Sequence, residues 1–295
     1  MTKQTELDAK TGPIMATITQ TVIDAMKAGT APWQKPWISR GHDTPTNLQT
    51  GAAYRGLNSF YLMLLGAAYD CNYWVGFKQA RKIKGNVRKG EKSTAILAPI
   101  MRKGEDSNGD KYMYPAGFRV VRVFNAMQCD GLTIPTAADF EPRVIDADAL
   151  DAFAINTGAN IEHGQTDQAC FVPSQDLVRM PAKDQFSEAG GYYGTLLHEL
   201  THWTGHKSRL NRIKSQQAAR RDYAFEELIA ELGAYYASER LGCPNEAENH
   251  ASYLQSWLKA LENDPKYLWQ AASAAERAAN YLIECADKGA SKKAA

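Results

Sequence analysis

The apolar positions near the start of the chain recur at every fourth residue. The repeating residues are Ile14, Ile18, Val22 and Met26. Side chains four residues apart lie on one face of an α-helix, so this pattern predicts an amphipathic helix over residues 11–28.

The rest of the first half alternates between short helical and extended patterns. Residues 32–37 contain prolines and tryptophans and predict a loop, because proline biases the residue before it toward extended geometry. Helices are predicted at residues 58–68 and 74–82, and strands at 93–100 and 117–125, with a polar loop at 104–111 between the strands.

The second half is predominantly helical in pattern. A stretch with proline and alanine at residues 133–143 predicts a linker. Helices are predicted at 147–157, 187–203, 218–241, 247–261 and 266–286, and an extended pair at 170–172 and 177–180. The expected fold class is α+β, with a mixed first domain at residues 1–135 and a mainly helical second domain with a small sheet at residues 145–295.

Composition favours a globular chain that stays in the cytoplasm. The 295 residues are 44% hydrophobic, which is enough to form a sizeable core. The polar amino-terminal sequence and the lack of a long apolar run predict no membrane association. The cysteines have no C-x-x-C spacing, so they favour reduced thiols over a cysteine-based zinc site.

Charge is divided unevenly along the chain. Residues 1–140 hold 18 Lys and Arg against 11 Asp and Glu, a net +7, and the remainder holds 16 against 22, a net −6. The two values sum to the overall +1. This asymmetry suggests that the first half meets a polyanion and the second half has another task.

The most specific motif is His198-Glu199-Leu200-Thr201-His202, in an apolar, helix-compatible stretch. Histidines four residues apart project from one helix face and can bind one zinc ion at about 2.1 Å. Glu199 lies beside that face and is the candidate catalytic base for a metal-activated water. The motif predicts a metallohydrolase of the protease type that uses Zn²⁺, with Mn²⁺ as an alternative.

The third metal ligand is expected on a second helix. A longer motif of this kind would end in a histidine at position 208, which is Ser208, and His206 would lie about 12 Å along a continuous helix from His198. Glutamates in the apolar segment 226–236 are costly unless a cation compensates them. We expect Glu227 to be the third ligand and Glu231 to accept a hydrogen bond from a ligand histidine. Glu226, about 100° around the helix, is the alternative ligand.

Other features near the motif fit a hydrolase. The extended segment 177–180 precedes the motif and could be an edge strand that pairs with a substrate backbone. Tyr192, Tyr193 and Tyr223 are candidates to donate a hydroxyl to an oxyanion, although a tyrosine in such a position is more often a packing residue.

The first half contains a basic segment that begins next to aromatic residues. Lysine and arginine can neutralise phosphates while exposed rings stack on bases, which is the combination that single-stranded nucleic acid requires. The alternative is a solvated surface with Trp74 in the core. The candidate DNA-binding residues are Tyr54, Arg55, Trp74, Lys78, Arg81, Lys82, Lys84, Arg88, Lys89 and Lys92.

These motifs together resemble ArdC-type antirestriction proteins. The resemblance in the first half rests on residues 33–37, 54–58, 88–92 and 123–125, and in the second on 180–181, Phe186, 192–193 and 198–206. It covers nearly the whole chain.

The resemblance implies a single-stranded-DNA-binding domain followed by a zincin metallopeptidase domain akin to the SprT/Spartan proteases. It also implies a mobile-element protein that protects conjugating plasmid DNA from host restriction, with His198, His202 and a downstream glutamate as metal ligands. Expected partners are single-stranded DNA, double-stranded DNA as a second candidate, and a protein substrate that is a restriction component or another DNA-bound protein.

Two alternatives stay open at this point. The protein could be a DNA-binding shield whose metal is structural, because a zincin fold can keep its metal and lose its activity. It could also be a plain metallopeptidase whose basic half only confers solubility.

Overall fold

The structure is a computed structural model that describes residues 3–28, 44–105, 111–136, 139, 146–164, 167–213, 220–243, 251–264 and 266–294. The chain forms two compact units. Unit 1 comprises residues 1–22 and 42–140, and unit 2 comprises residues 23–41 and 141–295. The predicted loop at residues 32–37 lies outside the described residues.

Unit 1 contains a four-stranded sheet in the order β1-β2-β5-β4. Its strands are β1 (Thr46–Asn47), β2 (Tyr73–Val75), β4 (Thr94–Glu105) and β5 (Lys111–Asn125), and a separate pair joins β3 (Asn86–Val87) to β6 (Cys129–Asp130). Its helices are α1 (Lys3–Lys27), of which the end belongs to unit 2, α2 (Gly56–Gly66) and α3 (Phe77–Lys82). Strands and helices in one unit confirm the mixed character predicted for this half.

The long hairpin β4–β5 extends beyond its predicted bounds. The two strands pair antiparallel from Thr94 opposite Val123 to Glu105 opposite Lys111, so strand residues occupy both ends of the predicted polar loop. The side chain of Asn58 forms two hydrogen bonds with the β4 backbone at Leu97. The Leu97 N–H donates to Asn58 Oδ1, and the Leu97 carbonyl accepts from Asn58 Nδ2.

The segment around Trp74 is a strand rather than the start of a helix. Trp74 pairs with Asn125 in the sheet, and the helix begins only at Phe77. Trp74 has no exposed surface, and Val75 next to it is equally buried. The predicted helix at 74–82 was therefore wrong in its first turn, because burial of three successive apolar residues in the sheet outweighed their helix-compatible spacing.

Unit 2 consists of a three-stranded sheet and a group of helices. The sheet has the order β7-β9-β8, with β7 (Asn160–His163) parallel to β9 (Leu177–Met180) and β8 (Cys170–Val172) antiparallel to it. The helices are α4 (Ala147–Asn156), α5 (Ala189–Thr204), α6 (Arg220–Leu241), α7 (Ala251–Asn263) and α8 (Lys266–Ala294). This arrangement confirms the predicted α+β class with a mainly helical second half.

Segment 177–180 is the central strand of this sheet, so the expectation that it is an edge strand was wrong. Strand β7 occupies one side of β9 and was not predicted from the sequence. Strand β8, which was predicted as the partner of β9, has a free edge on its other side among the described residues.

Helices α5 and α6 approach each other closely at Gly233. A Cβ atom placed on Gly233 would stand 2.5 Å from Thr201 Cγ2 on α5, inside van der Waals contact. Thr201 and the neighbouring α6 residues Leu232 and Ala234 have no exposed surface. A side chain at position 233 would force the two helices apart, so glycine is needed for their separation.

No described helix is both long enough and apolar enough to cross a membrane.

Candidate metal centre

His198 and His202 lie on the buried face of helix α5, one turn apart. Their Nε2 atoms are 3.1 Å apart, and their rings meet edge to face. His198 is 3% exposed. The i, i+4 spacing thus brings both imidazole nitrogens to one point, as the motif predicts.

Glu227 on helix α6 completes a group of three potential ligands. One carboxylate oxygen lies 3.6 Å from His198 Nε2 and the other lies 3.4 Å from His202 Nε2. The group His198, His202 and Glu227 offers ligand atoms that all lie within 4.8 Å of one another.

These separations are close to those around one metal ion. Zinc bonds of about 2.1 Å at tetrahedral angles place neighbouring ligand atoms about 3.4 Å apart. The two Nε2 atoms are 3.1 Å apart, and each lies 3.4 or 3.6 Å from a different oxygen of Glu227. Two nitrogens and one carboxylate also form the donor set of catalytic zinc sites that keep their fourth position for water or substrate.

Glu226 contacts the opposite side of the His202 ring. Its Oε1 lies 3.4 Å from His202 Nδ1, so Glu226 reaches the ring nitrogen that points away from the other two ligand atoms. Glu227 lies near both Nε2 atoms, whereas Glu226 lies near His202 Nδ1, so the geometry favours Glu227 over Glu226 as the third ligand.

Arg212, from the segment after α5, binds Glu226 through two nitrogens. Arg212 Nη2 donates to Glu226 Oε1 at 2.8 Å, and Nε donates to Oε2 at 3.2 Å. The same guanidinium donates to the Thr201 carbonyl and to Thr204 Oγ1, each at 2.8 Å. Arg212 thereby ties Glu226 to the end of α5. This contribution was not anticipated, because a single arginine fourteen positions from its partner leaves no spacing signal in the sequence.

Glu231 stands next to the other histidine. Its Oε1 lies 3.8 Å from His198 Nδ1, and the side chain has no exposed surface. Each histidine thus has one carboxylate near its Nδ1 atom, an arrangement that in metal sites fixes the tautomer and orients the ring. At 3.8 Å this is proximity rather than a hydrogen bond.

The centre carries more acid than base. Glu199, Glu226, Glu227 and Glu231 surround the histidines, and Glu199 is 7% exposed. The Arg212 guanidinium pairs with these carboxylates through Glu226. An excess of buried carboxylates is costly unless a cation compensates it, so this group of side chains favours a divalent metal ion.

The pKa directions reflect this excess of carboxylates. Burial alone would raise the pKa of Glu227, but the neighbouring His198 and His202 outweigh it and lower that pKa. Burial would likewise lower the pKa of His202, but Glu226 and Glu227 raise it well above its usual value. Both directions show that the carboxylates favour positive charge at this point.

Two of the three candidate tyrosines are engaged elsewhere. The Tyr192 hydroxyl lies 2.7 Å from His163 Nε2, and Tyr193 donates to Asp151 and to the Ala147 carbonyl. Tyr223 is 53% exposed and lies one turn before Glu227 on α6.

His206 does not join the ligand group. Its Nδ1 lies 2.8 Å from Ser208 Oγ and its ring packs edge-on against Phe171 of β8.

Arg209 lies over the Trp203 ring, 4.0 Å from its centroid, and binds both oxygens of Asp176 in the turn between β8 and β9. These contacts fasten the turn to the end of α5.

Most of the predicted basic residues are exposed on unit 1. Lys78, Arg81 and Lys82 extend from α3, and Lys84 follows with a positive φ of 64°. The other exposed basic residues of the candidate set are Arg55, Arg88, Lys89 and Lys92.

Three of the ten candidate DNA-binding residues are buried or bonded to other residues of unit 1. Trp74 is fully buried, so it presents no ring face to a base, and the expectation for this residue was wrong. The Tyr54 hydroxyl accepts a hydrogen bond from Asn47 and its ring is half-buried. Arg88 pairs with Glu91 at 2.8 Å and donates to the Met127 carbonyl, so part of its charge is compensated.

Comparison with known proteins gives two family matches in chain order. Residues 13–124 match the N-terminal domain of anti-restriction factor ArdC, and residues 148–274 match a zincin-like metallopeptidase domain. The two matches fall within the first and second halves separated by the predicted linker.

Longer relatives contain a region similar to this chain. Two DNA primases named TraC from Escherichia coli are 36% and 34% identical over 92% of this chain. The chain spans only 27% and 20% of their respective lengths.

Solved structures match over almost the full length. The metal-free crystal structure of the antirestriction protein ArdC from plasmid R388 is 38% identical, with a TM-score of 0.74 over 93% of this chain and 98% of that one. Its Mn(II)-bound structure is 37% identical, with a TM-score of 0.73 over 92% and 97%. With similarity along both domains, the chain belongs to the ArdC family of antirestriction proteins and carries a zincin-like metallopeptidase domain with a metal-binding site.

Proposed function

We propose that this protein protects incoming mobile DNA, such as a conjugating plasmid, from host restriction by binding single-stranded DNA and by using a metal-dependent protease-type centre. The observation that carries the proposal is the convergence of His198, His202 and Glu227, whose potential ligand atoms lie within 4.8 Å of one another, on helices that also carry the buried Glu199. The antirestriction protein ArdC and the TraC primases among the relatives support a role at DNA.

In this proposal His198, His202 and Glu227 bind the metal. Zn²⁺ suits the two nitrogens and one carboxylate, and Mn²⁺ is the second candidate, because a relative was crystallised with Mn(II). Glu231 positions His198 through its Nδ1 atom, at a distance that a small shift would convert into a hydrogen bond.

Glu199 is the proposed general base. A divalent ion held by the three ligands supplies Lewis-acid polarisation and lowers the pKa of a water molecule. Glu199 follows His198 on α5 and takes the proton from the water that attacks a peptide carbonyl, then delivers it to the leaving amine. Tyr223, exposed on α6, is the proposed donor of a hydroxyl to the carbonyl oxygen as charge develops there.

The basic surface of unit 1 supplies the proposed DNA contacts. Exposed lysines and arginines neutralise the phosphates of either DNA form. Exposed aromatic rings beside them favour single-stranded DNA, whose bases are free to stack, and double-stranded DNA is the second candidate. We propose residues 1–135 as the DNA-binding domain and 145–295 as the peptidase domain, acting in the cytoplasm on a restriction component or another DNA-bound protein. The residues proposed for DNA binding are Tyr54, Arg55, Lys78, Arg81, Lys82, Lys84, Arg88, Lys89 and Lys92.

A paired assay of the wild type and Glu199→Gln tests the catalytic part. The variant keeps the size of the side chain and removes the base, so we expect unchanged metal content, unchanged oligonucleotide binding and loss of protection during conjugation. Glu162→Gln, at an exposed position of β7, is the matched control and should protect like the wild type.

Full protection by Glu199→Gln would exclude hydrolysis and leave a DNA-binding shield with a structural metal. Absence of oligonucleotide binding by the wild type would instead leave a metallopeptidase without a nucleic-acid role.

A further inference from the structure

One face of strand β5 carries a row of aromatic and cationic side chains. Side chains alternate between the two faces of a strand, so Phe118, Val120, Arg122 and Phe124 share one face. Pairing with β4 is regular through this stretch, and the one register shift lies beyond it, between Pro99 and Met101. The alternation therefore holds from Phe118 to Phe124.

The row continues onto helix α3. The ring of Phe124 lies 6.5 Å from that of Phe77, the first residue of α3. The Arg81 guanidinium stands 4.7 Å from the Phe77 ring centroid, one helical turn further on. We call Phe77, Arg81, Phe118, Arg122 and Phe124 the aromatic track.

The ends of the aromatic track are accessible. Phe77 is 44% exposed and Phe118 is 42% exposed, and both arginines are exposed as well. Arg122 also donates a long hydrogen bond to Ser93, which directly follows the exposed Lys92 of the basic segment. Exposed rings beside cations suit an anionic ligand with flat apolar groups, because the rings can stack on those groups while the cations neutralise the charge.

We propose that single-stranded DNA lies along the aromatic track, with bases stacked on Phe77 and Phe118 and phosphates facing Arg81 and Arg122. This inference rests on the proposed function and deepens it by naming the surface. The β5 part alone spans about 20 Å from Phe118 to Phe124, which corresponds to about six nucleotides at the stacked rise of 3.4 Å per strand and to fewer in an extended strand.

Strand β5 offers a matched pair of arginines for the test. Arg119 is exposed like Arg122 but points to the opposite face of the strand, so each substitution by glutamine removes the same charge from the same strand. The probe is a fluorescent oligo(dT) of about twelve nucleotides, titrated with the full chain at several salt concentrations. Thermal melting of every variant checks folding.

We expect Phe118→Ala to weaken oligo(dT) binding about fivefold or more, and Phe118→Trp to retain it, because stacking needs a ring and not a particular base. Arg122→Gln should flatten the log–log salt dependence by about 0.7, and Arg119→Gln should change it by less than half as much. An unlabelled duplex of the same length should compete poorly, because its bases are already stacked.

Three results would overturn the aromatic track while leaving DNA binding intact: wild-type affinity of Phe118→Ala, equal effects of Arg119→Gln and Arg122→Gln, or equal competition by the duplex. Failure of the wild type to bind oligo(dT) would instead contradict the proposed function itself.

Discussion

Glu226 Oε1 stands 3.4 Å from His202 Nδ1, on the side of the imidazole that faces away from the other ligand atoms. Arg212 holds that carboxylate with two nitrogens, so a chain of contacts runs from the segment after α5 to the ring of His202. The role that follows for Glu226 is to orient a ligand, and this differs from the role of Glu227 one residue later.

Glu226→Gln should weaken metal binding about 10- to 100-fold while leaving the metal-free fold intact. The amide keeps the shape of the carboxylate but loses its charge, so it orients His202 less firmly. Isothermal titration with Zn²⁺ or Mn²⁺ gives the Kd. Glu239→Gln, further along α6, controls for loss of a carboxylate and should bind like the wild type.

Glu227→Gln should lose far more affinity than Glu226→Gln, because it removes a direct ligand. The reverse order would show that Glu226 is the ligand and would contradict the assignment.

Gly233→Ala should destabilise the protein by about 1–3 kcal/mol and weaken metal binding as well. Its methyl group would overlap Thr201 Cγ2 at 2.5 Å, which pushes α6, and Glu227 with it, away from α5. Chemical denaturation and metal titration measure the two effects.

Gly191→Ala on α5 is the matched control. A Cβ there meets only Phe186 at an ordinary 3.7 Å, so the change should be neutral or stabilising by up to about 1 kcal/mol. Adding Thr201→Ala to Gly233→Ala should recover part of the loss. No recovery in the double variant would show that the strain lies elsewhere.

Asp176 should stabilise the fold at neutral pH and cease to do so in acid. Hydrogen bonds from Arg209 lower the pKa of Asp176 in the folded state. The unfolded chain therefore takes up the proton first, so the contribution is complete above the unfolded value of about 3.9 and is lost as the pH falls through the lower folded value.

Asp176→Asn tests this dependence, and asparagine tolerates the positive φ of 50° at this position. The side chain is 41% exposed, so solvent screening limits the difference from the wild type to under about 1 kcal/mol at pH 7. Denaturation at several pH values should show this difference shrinking below pH ~3.9. If the difference in unfolding free energy between the wild type and Asp176→Asn stays constant down to pH ~2, it arises from the conformation of the turn and not from the charge of Asp176.

Local periodicity determined much of this protein in advance. The four-residue spacing of His198 and His202 follows from helix geometry alone, so the sequence predicted that both would face one metal ion. Helices α4 to α8 and the hairpins β4–β5 and β8–β9 were also predicted, because their patterns act over short distances along the chain.

Only the tertiary structure decided which side chains meet that pair and which surfaces stay open. Glu226 and Glu227 are neighbours in sequence, and the packing of α6 against α5, which approach closely at Gly233 and Thr201, places Glu227 near the Nε2 atoms. Likewise, Trp74 is buried in the sheet and Phe77 is exposed, although both lie at the start of the same basic segment. Such outcomes depend on contacts between residues far apart in the chain, which local spacing does not record.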